Sequence, residues 1–232
     1  MKYAIVAAGC GSRLQDGGLS TPKPLTMISG VPMIKRIIDI LMDNNAESIH
    51  VVTNADLPEI AEYLRSLPKD IPLHVEEIRS PDNFFSLHEC VKNIEGKFIG
   101  LTVDSIFVPA EFKRYVEEFE KYPDTKGLMG VTGFIDDEKP LYIEIADDMT
   151  ITDYGLVPFQ GTQWVSAGIY GLSSTIMKMA ESDPRADCLN AFQKSLTVKG
   201  IPLTGHDLGK VFDVDRPHDI AVAEAFIKEH NM

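Results

Sequence analysis

Cysteine is scarce in this sequence of 232 residues. Its three cysteines, Cys10, Cys90 and Cys188, are odd in number, far apart and include no C-x-x-C pair. The pattern therefore predicts neither a disulfide framework nor a zinc site. The six histidines contain no H-x-x-x-H pair, so they supply no metal-binding motif either.

Long apolar runs and an excess of positive charge are also missing. No segment approaches the ~20 apolar residues of a membrane span, and no export signal is visible, so we expect a cytoplasmic protein. Lys and Arg number 22 against 35 Asp and Glu, which gives a formal net charge of −13. Without a basic stripe, this balance argues against nucleic acid or a membrane surface as a partner. We expect one domain over residues 1–232.

Strand-like and helix-like segments alternate through the first part of the chain. Residues 32–44 carry apolar side chains at i, i+3 and i+4 spacing, which predicts an amphipathic helix. Strands are predicted at 3–8, 48–53, 73–78 and 97–103, and further helices at 58–67, 85–93 and 109–122. This alternation implies right-handed crossovers and a largely parallel sheet that is covered on both faces.

The alternation changes after Gly127. Strand-like segments at 128–134, 141–145 and 165–172 have little helix between them and predict an antiparallel extension. Helices at 175–181, 189–196 and 217–230 and a strand at 210–214 complete the chain. The predicted fold class is α/β: a single three-layer α/β/α Rossmann-like domain with a mixed, mainly parallel sheet and an antiparallel extension.

A glycine turn follows the first predicted strand. Gly9 and Gly11 precede Arg13, and Lys23 follows within a Pro-Lys-Pro-Leu segment. Backbone N–H groups of such a turn can surround phosphate oxygens, and the two cations can neutralise their charge. A dinucleotide fingerprint would require G-x-G-x-x-G, but Leu14 occupies the third glycine position. We therefore interpret the turn as a polyphosphate site.

The segment A-A-G-C-G-S-R-L, followed by P-K-P-L, resembles the opening of the nucleoside-triphosphate transferase family. That family includes the sugar-1-phosphate nucleotidyltransferases and the choline-phosphate cytidylyltransferase-like enzymes. The resemblance implies that Arg13 and Lys23 are catalytic, with Lys23 touching a phosphate of the nucleotide or of the acceptor. It also implies that the nucleotide contacts the turn at Ala8, Gly9, Gly11, Ser12 and Arg13.

Three carboxylates follow predicted strands. Asp104 comes directly after residues 97–103, and Asp213 and Asp215 lie at the strand predicted near the C-terminus. Open α/β sheets bind ligands at strand ends, and Mg²⁺ takes one or two carboxylates together with phosphate oxygens. Both segments resemble metal-binding segments of the family, whose branches use the acid matching either Asp213 or Asp215, so both remain candidates. Asp215 is alternatively the N-cap of the last helix.

Two further segments resemble substrate contacts of the family. Phe84–Leu87 opens a helix where relatives bind the nucleobase, so Ser86 is predicted either to contact the base or to cap the helix. Glu138-Lys139-Pro140 copies a sugar-phosphate motif but stands too far before Gly168-Ile169-Tyr170, the signature that normally follows it. We interpret Lys139 as a solvated charge.

The acceptor region is rich in aromatic residues, which suggests either an aromatic cage for a quaternary ammonium group or ordinary core packing. These residues are Tyr142, Tyr154, Phe159, Trp164 and Tyr170. Val103 and Arg216 stand where sugar-nucleotide enzymes often have Gly and Thr. The branch of the family, and with it the acceptor, stays open at this point.

The function that the resemblance implies is Mg²⁺-dependent nucleotidyl transfer. A phosphorylated small acceptor, either a sugar-1-phosphate or a phosphocholine-like compound, attacks the α-phosphorus of a nucleoside triphosphate and releases pyrophosphate. Such a phosphate has a second pKa of ~6 and is already ionised near neutral pH, so no general base is needed. Two alternatives are a catalytically silent nucleotide-binding or regulatory protein on the same fold and a molybdopterin guanylyltransferase-like enzyme.

Overall fold

The structure is a computed structural model that describes residues 1–135, 140–161, 163–180 and 188–232. Its strands, in chain order, are β1 (Lys2–Ala7), β2 (Met27–Ile28), β3 (Val31–Pro32), β4 (Ser48–Asn54), β5 (Leu73–Ile78), β6 (Lys97–Thr102), β7 (Ser105–Ile106), β8 (Gly127–Thr132), β9 (Tyr142–Ile145), β10 (Ile151–Gly155), β11 (Trp164–Ser173), β12 (Leu203–Asp207) and β13 (Phe212–Asp213).

Three of the described helices begin at a proline. Proline opens α3, α5 and α8, where its missing N–H costs no helical hydrogen bond. The helices are α1 (Ser12–Asp16), α2 (Met33–Asp43), α3 (Pro58–Ser66), α4 (Asn83–Val91), α5 (Pro109–Phe119), α6 (Ser174–Ala180), α7 (Leu189–Val198) and α8 (Pro217–Glu229). A 3₁₀ turn covers Lys23–Leu25.

Among the described residues, nine strands form one mixed sheet with β1 near its centre. β1 pairs in parallel with β4 and β6, and β5 continues in parallel beyond β4. β11 then pairs antiparallel with β6, β8 and β9, while β12 lies parallel to β8 and β10 antiparallel to β9. The parallel part and the antiparallel extension are both confirmed.

Apolar residues on the two faces of the sheet pack against separate sets of helices. Tyr3 and Ile5 of β1 point to the face that α2, α3 and α5 cover, whereas Ala4 and Val6 point to the face that α4, α6 and α7 cover. A parallel strand buried on both faces is a nearly continuous apolar run, as β1 is from Tyr3 to Ala7. The predicted three-layer α/β/α architecture is confirmed.

The C-terminal part of the chain differs from its prediction. The strand predicted at 210–214 is only the two-residue β13, which pairs antiparallel with β7 apart from the main sheet. The backbone turns at Gly209, where φ is +67°, and enters α8 at Pro217, so little of this segment is free to extend a strand. β13 nevertheless places Asp213 opposite Ser105, immediately after Asp104.

Strands β10 and β12 and helix α1 were absent from the sequence prediction. A register shift between Ile151 and Asp153 interrupts the alternation of buried and exposed residues along β10. β12 contains Gly205, His206 and Asp207, which are poor strand formers, and it is held by pairing with the buried β8.

No helix in the described parts of the chain is both long and apolar enough to cross a membrane.

Candidate active site

The turn after β1 packs against the 3₁₀ turn that carries Lys23. Gly11 has φ +65°, the left-handed conformation that glycine adopts at little cost. A Cβ atom on Gly11 would lie only 2.7 Å from the Cβ atom of Lys23. Glycine at this position therefore serves both the backbone conformation and the close approach of the two turns.

Lys23 lies between two carboxylates from distant parts of the chain. Its Nζ atom is 2.5 Å from Oδ2 of Asp104 and 2.6 Å from Oδ1 of Asp215. Arg13 donates from Nη1 to the other oxygen of Asp215. Two cations and two anions thus form one cluster at the carboxyl ends of β1 and β6, with Lys23 only 12% exposed and Arg13 45% exposed.

The opposite charges of this cluster keep its members ionised. Burial lowers the pKa of Lys23, but Asp104 and Asp215 raise it by more, so the net shift is upward. Burial raises the pKa of Asp104, but the Lys23 ammonium outweighs this effect and the net shift is downward. Lys23 and Asp104 are therefore both ionised near neutral pH.

Asp213 lies beside the cluster but has its own support. Its Oδ1 accepts a hydrogen bond from the Ser105 hydroxyl at 2.8 Å, and the Ser105 Oγ is 2.9 Å from Oγ1 of Thr102. Part of Asp213 is open to solvent, yet desolvation by the surrounding cleft and the negative charge of Asp104 both raise its pKa. Asp213 and Asp215 consequently differ in environment although they are two residues apart.

Gly168 leaves room for the side chains that hold Asp213. Its φ is +70°, and a Cβ atom there would lie 2.4 Å from Oγ1 of Thr102 and 2.8 Å from Oγ of Ser105. The glycine of the Gly-Ile-Tyr signature is thus required by the close approach of β11 to the Thr102–Ser105 pair.

Two adjoining clefts meet at Arg13 and Asp215, which line both of them. The first cleft, of about 360 Å³, is bordered by the glycine turn, Lys23, Asn83 and Asp104. The second, of about 180 Å³, lies between β8, β11, β13 and the start of α8. The arrangement offers two binding spaces with a shared charged boundary.

Most of the predicted site residues come together in these clefts. The first cleft is lined by Gly9, Gly11, Ser12, Arg13, Lys23, Asp104 and Asp215, and the second by Asp213 as well as by Arg13 and Asp215. Ala8 lies beneath the turn and is buried in the core. Asn83, Thr102 and Ser105 were missed. The sequence could have indicated Asn83, because it immediately precedes the Phe84–Leu87 segment that resembles the base-binding segment of the family. Nothing in the sequence indicates Thr102 or Ser105 except that they lie near Asp104.

Ser86 lies below the surface rather than in the first cleft. It is 2% exposed, and its Oγ lies within hydrogen-bond distance of the Ser80 hydroxyl, at 2.8 Å, and of the Asp82 carbonyl oxygen, at 3.0 Å. The alternative prediction, that Ser86 caps α4, is wrong because the Asp82 carboxylate accepts from the Phe85 N–H at 2.8 Å. Contact of Ser86 with a nucleobase stays a prediction.

The capping alternative for Asp215 is also wrong. The N–H groups of Asp215 and Arg216 donate to the carboxylate of Asp219, which holds the start of α8. The Asp215 side chain is thereby left to face Arg13 and Lys23.

Of the aromatic candidates, Tyr154 and Tyr170 are buried in the core and belong to no cage. Lys139 lies outside the described residues.

The donor set of the first cleft fits a hard cation. Asp104 and Asp215 already hold a positive charge between them, the Lys23 ammonium, and their donors are carboxylate oxygens of the kind that Mg²⁺ prefers. Within the described ranges, no group of three or more His, Cys, Asp or Glu side chains is placed to hold a metal ion. A metal here would depend on two carboxylates and on the oxygens of a bound phosphate.

A sequence profile of the MobA-like NTP transferase domain matches residues 3–126, which is more than half of the chain. The matched part contains the glycine turn, Arg13, Lys23 and Asp104.

Two curated relatives match nearly the whole of this chain. It is 26% identical over 230 residues to the bifunctional protein GlmU of Methanococcus maripaludis, covering 92% of this chain and 53% of that protein. It is 26% identical over 232 residues to mannose-1-phosphate guanyltransferase 2 of Candida glabrata, covering 94% and 62%. The chain thus spans about half the length of the curated relatives that match it first.

The fold is shared with the solved inositol-1-phosphate CTP transferase of T. maritima. The two structures superpose with a TM-score of 0.82 at 20% identity, over 98% of this chain and 96% of that one.

Proposed function

The chain belongs to the MobA-like NTP transferase family, and from this premise we propose that it transfers a nucleoside monophosphate from a nucleoside triphosphate to a phosphorylated small acceptor. Pyrophosphate is the second product. We propose further that residues 1–232 act as one nucleotidyltransferase domain and that the reaction requires Mg²⁺.

The observation that carries this proposal is the charged boundary between the two clefts. Arg13 and Asp215 line both clefts and form an ion pair with each other. Lys23 contacts Asp215 directly, and its ammonium links Asp215 to Asp104. A transfer between two bound phosphates needs two adjacent sites with charge concentrated where they meet. The glycine turn borders the first cleft, which we assign to the nucleotide, and the second cleft is assigned to the acceptor.

Catalysis in this arrangement consists of positioning and charge stabilisation. Backbone N–H groups of Gly9–Ser12 surround the triphosphate, and Arg13 faces the departing pyrophosphate. Lys23 neutralises charge where the acceptor phosphate meets the α-phosphorus. The acceptor phosphate oxygen is already ionised near neutral pH, so the reaction needs no general base.

Asp104 and Asp215 are the residues that we propose hold Mg²⁺, because their carboxylates converge on one cation position. Asp213 is the second candidate for the metal, because it lies next to Asp104. It ranks below Asp215 because its Oδ1 already accepts a hydrogen bond from Ser105. When bound, the metal would neutralise phosphate oxygens and help to align the reacting groups.

For the acceptor we propose a sugar-1-phosphate or a related polyol phosphate. Among the relatives, one is named for mannose-1-phosphate and one structure for inositol-1-phosphate. Burial of Tyr154 and Tyr170 removes two of the aromatic residues that a quaternary ammonium cage would have used. A phosphocholine-like acceptor is therefore the weaker candidate.

The test is a pyrophosphate-release assay that crosses ATP, CTP, GTP and UTP with phosphorylated sugars, polyols and choline in the presence of Mg²⁺. We expect release with at least one pair and none with the Asp104→Asn variant. Tight nucleotide binding by calorimetry without turnover across the panel would favour the silent nucleotide-binding alternative instead.

A further inference from the structure

Among the described residues, the Lys23 ammonium is the one charged group that contacts both the Asp104 and the Asp215 carboxylate. Nζ lies 2.5 Å from one carboxylate oxygen and 2.6 Å from the other, so the lysine fills the space between them. A divalent cation that bound these two carboxylates would need the same space. The lysine and a metal ion are therefore competitors for one position.

The backbone of Lys23 is fixed, so only its side chain can leave. Pro22 and Pro24 restrict the chain on both sides of it. The 3₁₀ turn is closed by the Leu25 N–H donating to the Pro22 carbonyl at 2.8 Å and the Thr26 N–H donating to the Lys23 carbonyl at 3.1 Å. Gly11 packs against Lys23 Cβ. Rotation of the side chain beyond Cβ is the motion that remains.

The glycine turn lies where a polyphosphate could draw the ammonium away. Lys23 and the turn border the same cleft, and the phosphate oxygens of a nucleotide there would offer the ammonium new anionic partners. Arg13 is more exposed than Lys23, so an entering polyphosphate would contact Arg13 first and would weaken its ion pair with Asp215. Both carboxylates would then be free to bind a metal.

We propose that Lys23 occupies the metal position in the nucleotide-free protein and excludes divalent cations until a nucleoside triphosphate draws its ammonium onto the phosphates. This inference rests on the proposed function, since it takes a nucleoside triphosphate as the ligand of the first cleft. Its consequence is an order of assembly in which free metal binds weakly and the metal site forms only with the nucleotide. The two carboxylates face a cation at each stage, first the Lys23 ammonium and then the divalent cation.

The experiment measures Mn²⁺ binding to the nucleotide-free protein by electron paramagnetic resonance. Lys23→Met keeps a long unbranched side chain but removes its charge. We expect this variant to bind Mn²⁺ on the order of tenfold more tightly than the wild type, within the usual range of coupling between sites. The matched control is Lys35→Met, which removes a lysine paired with Asp39 on α2 and should leave Mn²⁺ affinity unchanged. Equal affinity in the wild type and Lys23→Met would overturn the proposal.

A second measurement needs no substitution at Lys23 and stands if that variant fails to fold. Asp104→Asn should change Mn²⁺ affinity less than about twofold without nucleotide but weaken it on the order of tenfold with a non-hydrolysable triphosphate analogue. A large loss of Mn²⁺ affinity in the nucleotide-free Asp104→Asn protein would show that the metal reaches the carboxylates with Lys23 in place, and would overturn the proposal. Failure of the proposed function has a different signature, namely the absence of pyrophosphate release.

Discussion

Gly11 and Lys23 are in direct contact: a Cβ atom on Gly11 would lie 2.7 Å from Cβ of Lys23. The turn that is proposed to surround the triphosphate and the lysine that is proposed to neutralise it are thus one packed unit. Since Gly11 also has φ +65°, any side chain there both strains the backbone and displaces the lysine.

Gly11→Ala should lower turnover on the order of 10²-fold, because a displacement of about 1 Å in a catalytic group has effects of this size. The left-handed backbone itself should cost about 1–2 kcal/mol of stability. Gly18→Ala is the matched control, since Gly18 has φ +93° but open space around it. Steady-state kinetics and urea denaturation separate the effects. Similar kinetic losses in both variants would show that contact with Lys23 is unimportant.

Gly168→Ala should disturb Asp213 through the Thr102–Ser105 pair. An added Cβ at 2.4 Å from Thr102 Oγ1 forces that side chain or β11 to move. We expect a lower melting temperature and lower turnover, with Gly200→Ala, at φ +68° in open space, as the control. If Gly168→Ala lowers the melting temperature no more than Gly200→Ala does, the close packing at Gly168 is contradicted.

Lys23 should matter for stability as well as for chemistry. Its removal leaves Asp104 and Asp215 facing each other without their shared cation, and breaking fully buried pairs costs ~3–5 kcal/mol. Because both carboxylates retain contact with solvent, we expect Lys23→Met to cost about 1–3 kcal/mol by urea denaturation. Arg13→Ala, at a more exposed site, should cost less than about 1 kcal/mol. A larger loss for Arg13→Ala than for Lys23→Met would contradict the central place of Lys23 in the cluster.

Asp213→Asn and Asp215→Asn should have different effects on metal binding. With a triphosphate analogue bound, Asp215→Asn should weaken Mn²⁺ binding on the order of tenfold or more, in the range of losses seen when groups that support a metal site are removed. Asp213→Asn should weaken it less, because Ser105 already engages its carboxylate. Calorimetric titration decides between them. The reverse order of effects would assign the metal to Asp213.

The parallel part of the fold was predictable because its strands and helices have regular apolar spacing. β1 is apolar from Tyr3 to Ala7, and α2 buries Ile34, Ile37, Ile38 and Leu41 on one face, as their spacing indicates. β12 was not predictable, since its polar residues form a strand only by pairing with β8. Likewise, β13 is short because of the turn at Gly209 and the start of α8, which local propensity does not report.

The candidate site was predictable as a set of residues but not as a set of contacts. Arg13, Lys23 and Asp104 stand out in sequence because glycines and strand ends flank them. The sequence alone indicates no partner for either cation. The structure shows that Lys23 is paired with Asp104 and Asp215, residues brought to it only by the fold.

The most direct test of nucleotidyl transfer is ³¹P NMR of the protein with Mg²⁺, a nucleoside triphosphate and the acceptor panel. Attack at the α-phosphorus predicts equal amounts of inorganic pyrophosphate and a nucleotide-linked acceptor, and neither product with Asp104→Asn. Formation of nucleoside diphosphate with orthophosphate or a newly phosphorylated acceptor would place the attack at the γ-phosphorus. That result, or an unchanged triphosphate spectrum with every acceptor, would contradict nucleotidyl transfer by this chain.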